Sequence, residues 1–158
     1  GFAGFVLGSL DQLPGRVATH FDGQGRPNGW MSRPACVAFS LVLGSVFPLV
    51  AVVVSRMVGR LPAQGMNLPQ RDYWNHPQRL ESTRVYLQGH VLIFGGLGLV
   101  FMAGIHALIL QANRPGAGGV SLPWLLAVAG GFVVAVGLWA VRLIRHFLKV
   151  PPGSRPLI

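Results

Sequence analysis

The chain has 158 residues, of which 51% are hydrophobic and only 11% charged, where soluble domains carry roughly a quarter charged residues. With a positive mean hydropathy, that composition excludes an ordinary soluble domain and predicts an integral membrane protein. The net charge of +9 does not point to nucleic acid, because no Lys or Arg occurs within 34–55, 85–113 or 115–141. The basic residues stand in loops and at helix ends, where they meet lipid phosphates.

Taken in chain order, residues 1–10 are uncharged but too few to cross roughly 30 Å of hydrocarbon. They read as the last half of a first transmembrane helix, truncated at its N-terminus. The connection 11–34 holds Thr19-His20-Phe21-Asp22-Gly23-Gln24-Gly25-Arg26-Pro27-Asn28-Gly29-Trp30. Three glycines and a proline predict turns there, with neither a strand nor a helix interior. His20 and Asp22 are expected to hold the turn, and Trp30 to anchor its end at the membrane interface.

A second span follows over 35–55, containing Pro48, which a membrane helix tolerates with a kink. The connection 56–84 carries the elbow Asn67-Leu68-Pro69-Gln70-Arg71-Asp72-Tyr73-Trp74-Asn75-His76-Pro77-Gln78-Arg79. Its two prolines predict short turns, and Tyr73-Trp74 suits a membrane interface. Asp72 is expected to pair with Arg79 or Arg56, and Glu81 with Arg84. Spans over 85–112 and 122–141 complete an all-α integral membrane domain of four helices. On the last, Ala127, Gly131 and Ala135 recur every four residues, a small-residue stripe that lets a neighbouring helix approach.

Orientation follows from the basic residues. The 56–84 loop and the tail hold Arg56, Arg60, Arg71, Arg79, Arg84, Arg142, Arg145, Lys149 and Arg155, against Arg16, Arg26, Arg33 and Arg114 on the other side. The positive-inside rule then places 56–84 and both termini in the cytoplasm of a bacterial inner membrane. The Thr19–Trp30 loop faces the periplasm or cell exterior.

Few residues offer chemistry. The single cysteine, Cys36, excludes an internal disulfide. His20 and Asp22 are too few for a structural zinc site, which takes four ligands, so no metal is expected. Haem through His90, His106 or His146 is disfavoured: His90 and His106 stand roughly 24 Å apart along one helix, and His146 falls beyond Arg142 and Arg145 while His90 lies further inside. The four acidic residues, Asp11, Asp22, Asp72 and Glu81, split two and two across the bilayer. No nucleophile elbow or helical metal motif accompanies them.

The outer loop, Leu13-Pro14, then Thr19-His20-Phe21, then Gly25-Arg26-Pro27-Asn28-Gly29-Trp30 directly before the second span, resembles the signature of a bacterial membrane family. That family is a domain of unknown function related to the N-terminal module of the SdpI-type toxin-immunity proteins. Asn28 stands where an aspartate is common, and Arg33 where a lysine is common. The segment Asn67-Leu68-Pro69 with Arg71-Asp72-Tyr73-Trp74, Pro77 and Arg79 is similar to the motif of a subgroup, with His76 and Gln78 replacing small and acidic residues. The resemblance implies a membrane fold and, more distantly, an immunity-like role, in which related modules protect a cell from a secreted peptide toxin and signal its presence through a partner. The resulting expectation is a small non-enzymatic membrane protein that contacts lipids and binds a peptide or membrane-protein partner through the outer loop and the elbow. The alternatives are an accessory subunit of a larger membrane complex and, third, a small transporter or membrane enzyme.

Overall fold

A computed structural model describes residues 1–150. Its elements are α1 (Phe2–Gly8), a 3-10 turn at Leu10–Gln12, strands β1 (Arg16–Phe21) and β2 (Pro27–Ser32), and α2 (Arg33–Arg60). A second 3-10 turn (Ala63–Gly65) leads to the one-turn α3 (Arg71–Trp74), then α4 (Pro77–Ala112) and α5 (Leu122–Leu148). Three helices, α2, α4 and α5, are long and apolar enough to cross a membrane. α1 spans seven residues.

The helices run past the apolar windows that announce them. α2 continues to Arg60, α4 begins at Pro77 and α5 reaches Leu148, because backbone hydrogen bonding does not stop where side chains turn polar. Local signals fix the starts. The Ser32 hydroxyl accepts from the Ala35 amide at 3.4 Å with Pro34 in the first turn, and His76 caps α4 ahead of Pro77.

α2 and α4 form the principal pairing, and α5 packs on α4. Glycines set the first contact. A Cβ at Gly95 would collide with Ala51, and one at Gly98 with Phe47. The stretch of α2 around Pro48 therefore lies almost backbone to backbone against α4. α1 enters from the side, its Phe2 ring occupying the space a side chain at Gly44 would need. α5 is held by the Phe101–Phe132 stack (4.5 Å), by Phe94 against Trp139 (5.0 Å), and by the Trp139 indole N–H donating to the His90 carbonyl at 3.0 Å.

The all-α expectation needs correction at 11–34. Thr19–Trp30 belongs to a β-hairpin of β1 and β2, with Val17 opposite Met31 and Ala18 opposite Trp30. The turn formers cluster between the strands at 22–26, and the flanking residues are free to extend. The register slips twice, between Ala18 and His20 and between His20 and Phe21, leaving Thr19 on one strand and Asn28 on the other without an opposite residue, local irregularities of the bulge kind. Val17 and Ala18 are buried while Arg16 and His20 are exposed. The hairpin thus lies as a lid on a core of Val6, Leu13, Val17, Cys36, Val37 and Leu110.

Candidate functional site

One end of the bundle carries the hairpin and the α4–α5 connection, and the other carries the elbow and the end of α5. The hairpin is the better-defined candidate. Asp22 builds its turn: one carboxylate oxygen, Oδ1, accepts from the backbone amides of Gln24 (2.8 Å) and Arg26 (2.9 Å). These bonds, reinforced by the Arg26 charge, hold the Asp22 carboxyl below the usual carboxylate range. Gly25 takes φ of 79°, and its carbonyl accepts from the Val120 amide at 2.9 Å, tying the turn to the α4–α5 connection.

His20 does not share this work. Its ring makes no hydrogen bond among the described residues; instead it lies across from Gly29, where a Cβ would sit 2.9 Å from that of His20. Glycine at 29 leaves room for the imidazole. Trp30 is half exposed under the Arg16 guanidinium, 4.9 Å from its ring centre.

Asn113, at the end of α4, grips β1 and was not singled out by the sequence. Its Oδ1 accepts from the Ala18 amide at 2.8 Å, while its Nδ2 donates to the carbonyls of Ala18 (2.9 Å) and Ile109 (2.8 Å). An amide side chain here completes both main-chain bonds of one strand residue, as a neighbouring strand would. This also fixes the phase of the ladder. Ala18 points its N–H and C=O at Asn113, so Ala18 and Trp30 are a non-hydrogen-bonded pair and Val17 and Met31 a bonded one. The Arg33 amide donating to Gly15 at 3.0 Å continues that alternation. The N–H and C=O of Trp30 consequently point outward from the far edge of β2, where no described residue meets them. β1 is closed at Ala18; β2 is open at Trp30.

Beneath the hairpin, His106 is almost fully buried, at 1% exposure. Its Nε2 lies 2.9 Å from the Ser9 hydroxyl and its Nδ1 3.1 Å from that of Ser40. Ser9 donates its own proton to the Val6 carbonyl (2.8 Å), so Nε2 carries the imidazole proton and Nδ1 accepts from Ser40. One side chain thereby joins α1, α2 and α4, and every polar group in the set is used.

At the opposite end Trp74 enters between α4 and α5, its indole N–H donating to the Phe147 carbonyl at 3.0 Å. Tyr73 packs edge-on to it and stacks under Arg79, whose guanidinium lies 4.1 Å from the ring centre. Asn75 gathers the carbonyls of Ala63 and Met66 at 2.8 Å each. Asp72 makes no ion pair: among the described residues the single one is Arg84–Glu81 at 3.6 Å, the pairing expected from spacing, and Arg84 also donates to the Leu61 carbonyl. Asn67 and Pro69 lie on the exposed approach to α3, and Arg71 and Asp72 line an open hollow beside Asn75.

The depth argument that kept His90 and His146 apart fails. Both rings pack on Tyr86, His90 tilted at 4.2 Å and His146 stacked at 3.7 Å between centres. Two rings at those separations cannot share a face, so the phenol lies between the imidazoles. His90 Nδ1 donates to the Tyr86 carbonyl at 3.0 Å, leaving a buried Nε2 without a partner among the described residues. His106 belongs to the other end of α4. In the small-residue stripe Ala127 is exposed, Gly131 faces open space, and the tight approach of α4 to α5 falls at Gly104 against Val128. Arg155 lies outside the described residues.

Residues 2–44 match a family described as a domain of unknown function (DUF1648). The matched segment covers α1, the hairpin and the opening turns of α2, so it holds the hairpin and leaves out Asn113, which closes β1. Neither the curated proteins nor the solved structures give a match.

Proposed function

We propose that this chain is a non-enzymatic membrane protein that binds an extended peptide segment by adding it as a strand to β2. The observation that carries this reading is the asymmetry of the two hairpin edges. Asn113 occupies the main-chain groups of Ala18 on β1, whereas Trp30 on β2 presents an N–H and a C=O to no described residue. An open edge with a half-exposed tryptophan beside it offers main-chain bonds for affinity and an aromatic surface for selectivity. This agrees with the role against a secreted peptide toxin that the likeness to the SdpI-type immunity modules implies.

The same reading places the hairpin outside a bacterial inner membrane. Eight described basic residues, Arg56, Arg60, Arg71, Arg79, Arg84, Arg142, Arg145 and Lys149, belong to the elbow end, against Arg16, Arg26, Arg33 and Arg114 at the hairpin end, which supports an elbow in the cytoplasm. α1 reaches Gly44, midway along α2, which supports counting it within a fourth membrane-embedded helix.

The test is selection of a displayed random heptapeptide library on the full chain in nanodiscs. Trp30→Pro deletes an outward N–H without touching a bond to β1, and Trp30→Phe keeps it. Selected peptides should bind Trp30→Phe within about twofold of the unaltered protein and Trp30→Pro about tenfold more weakly, the loss of one main-chain bond. They should also bind right-side-out vesicles and not inverted ones. No enrichment, or equal binding to Trp30→Pro, overturns the strand-addition reading; binding to inverted vesicles overturns the orientation.

A further inference from the structure

Two hollows meet under the hairpin turn, and they differ in character. One, of about 310 Å³, lies between the turn and the facing ends of α4 and α5; Phe21, Ile105, Leu108, Val120 and Leu125 make its walls mostly apolar, with Thr19 and Asp22 as its polar members. The other, of about 250 Å³, is lined by Gln24, Arg26, Gln111, Ser121 and the Gly118-Gly119 backbone. Gly25 and Val120 belong to both, and the hydrogen bond between them forms the shared wall. About a turn deeper along the same two helices a further apolar hollow of about 240 Å³ follows, between Phe101 and Gly104 on α4 and Val128 and Ala135 on α5.

A polar chamber beside an apolar one, at the depth where a helix pair leaves the hydrocarbon, matches an amphiphile with its head outward and its tail inward. Charge selects the head. Arg26 is the one charged side chain lining the polar chamber. Asp22, on the rim of the apolar one, has a carboxylate oxygen committed to the Gln24 and Arg26 amides. Length selects the tail. From Leu122 to Ala135 the helix advances about 20 Å at 1.5 Å per residue, comparable with the roughly 15 Å of hydrocarbon in one leaflet.

We propose that this paired cavity is a binding site for an anionic phospholipid, its phosphate beside Arg26 and one acyl chain in the apolar hollow under the hairpin turn. The site lies on the face of the hairpin turned toward α4 and α5, so it is separate from the open edge of β2. A bound lipid would brace the turn from below without competing for Trp30.

Native mass spectrometry of the full chain tests this, after exchange into micelles holding equal amounts of dioleoyl phosphatidylglycerol and dioleoyl phosphatidylcholine. The unaltered protein should retain one phosphatidylglycerol in preference to phosphatidylcholine by about fivefold, the factor one arginine supplies near an anionic surface. Leu125→Trp, which fills the apolar hollow, should lose the adduct. Arg26→Gln, on the exposed turn, should keep an adduct but lose the preference. Absence of an adduct, absence of a headgroup preference in the unaltered protein, or an unchanged preference in Arg26→Gln overturns the proposal. An unchanged adduct in Leu125→Trp overturns it as well, and Arg26→Gln decides the matter should Leu125→Trp lose its helical circular dichroism.

Discussion

At the scale of single residues, the hairpin depends on two side chains that do the work of backbone. Asn113 stands in for a strand, and Asp22 stands in for the missing partners of two turn amides. The second makes the turn sensitive to acid. Its folded-state pKa is depressed, so the stabilisation is complete above the ordinary carboxylate range and is lost as pH falls through the lowered folded value. Backbone amide exchange at Gln24 and Arg26 should therefore accelerate on acidification beyond the intrinsic pH trend. Asp22→Asn, which keeps an acceptor but does not titrate, should remove that acceleration; an identical pH profile in both proteins would show that the turn is held by something else. Asp22 was legible in the sequence because a short acidic side chain beside glycines is a local device. Asn113 was not, because its partner Ala18 is ninety-five positions away and nothing local announces the pairing.

At the scale of elements, apolar windows located all three long helices, with the end of α4 at Ala112 and the start of α5 at Leu122, but not the ends toward the elbow at Arg60, Pro77 and Leu148, since hydropathy reports where lipid lies and not where hydrogen bonding stops. The hairpin was missed for a related reason. Gly23, Gly25, Pro27 and Gly29 form one glycine-rich tract in the sequence, although three of them sit in or beside a tight turn and Gly29 serves a different purpose, clearing space for His20. Helix packing repeats the lesson. The stripe of Ala127, Gly131 and Ala135 has the right spacing for close approach, yet close approaches fall at Gly95, against Ala51 and the Phe47 carbonyl, and at Gly98, under the Phe47 ring, neighbours set by how α2 and α4 cross. Gly95→Ala should destabilise the bundle by about 1–3 kcal/mol through overpacking against Ala51, while Gly96→Ala, which meets open space, should leave stability unchanged or slightly raised. Reversible unfolding in mixed detergent micelles measures both, and equal stabilities would contradict the crossing described.

At the scale of the whole molecule, polar function concentrates at the two ends of an apolar bundle. The buried His106 set joins α1, α2 and α4 below the hairpin, and the Trp74–Tyr86–His146–Phe147 cluster closes the other end. Neither was legible beforehand, because each assembles residues from helices far apart in the chain. What composition did convey was the class of molecule and the separation of basic residues from the spans, and the bundle is consistent with both. The working surface we propose is the open edge of β2 at Trp30, which rests on the phase of one two-stranded ladder. Residue-resolved amide hydrogen exchange on the full chain in nanodiscs tests that phase most directly. In the free protein the amides of Ala18 and Met31 should be protected, the first by Asn113 and the second by Val17, while Trp30 exchanges freely; a selected peptide should then protect Trp30 and leave Ala18 as it was. Protection of Trp30 in the free protein, or rapid exchange at Ala18, would contradict the account.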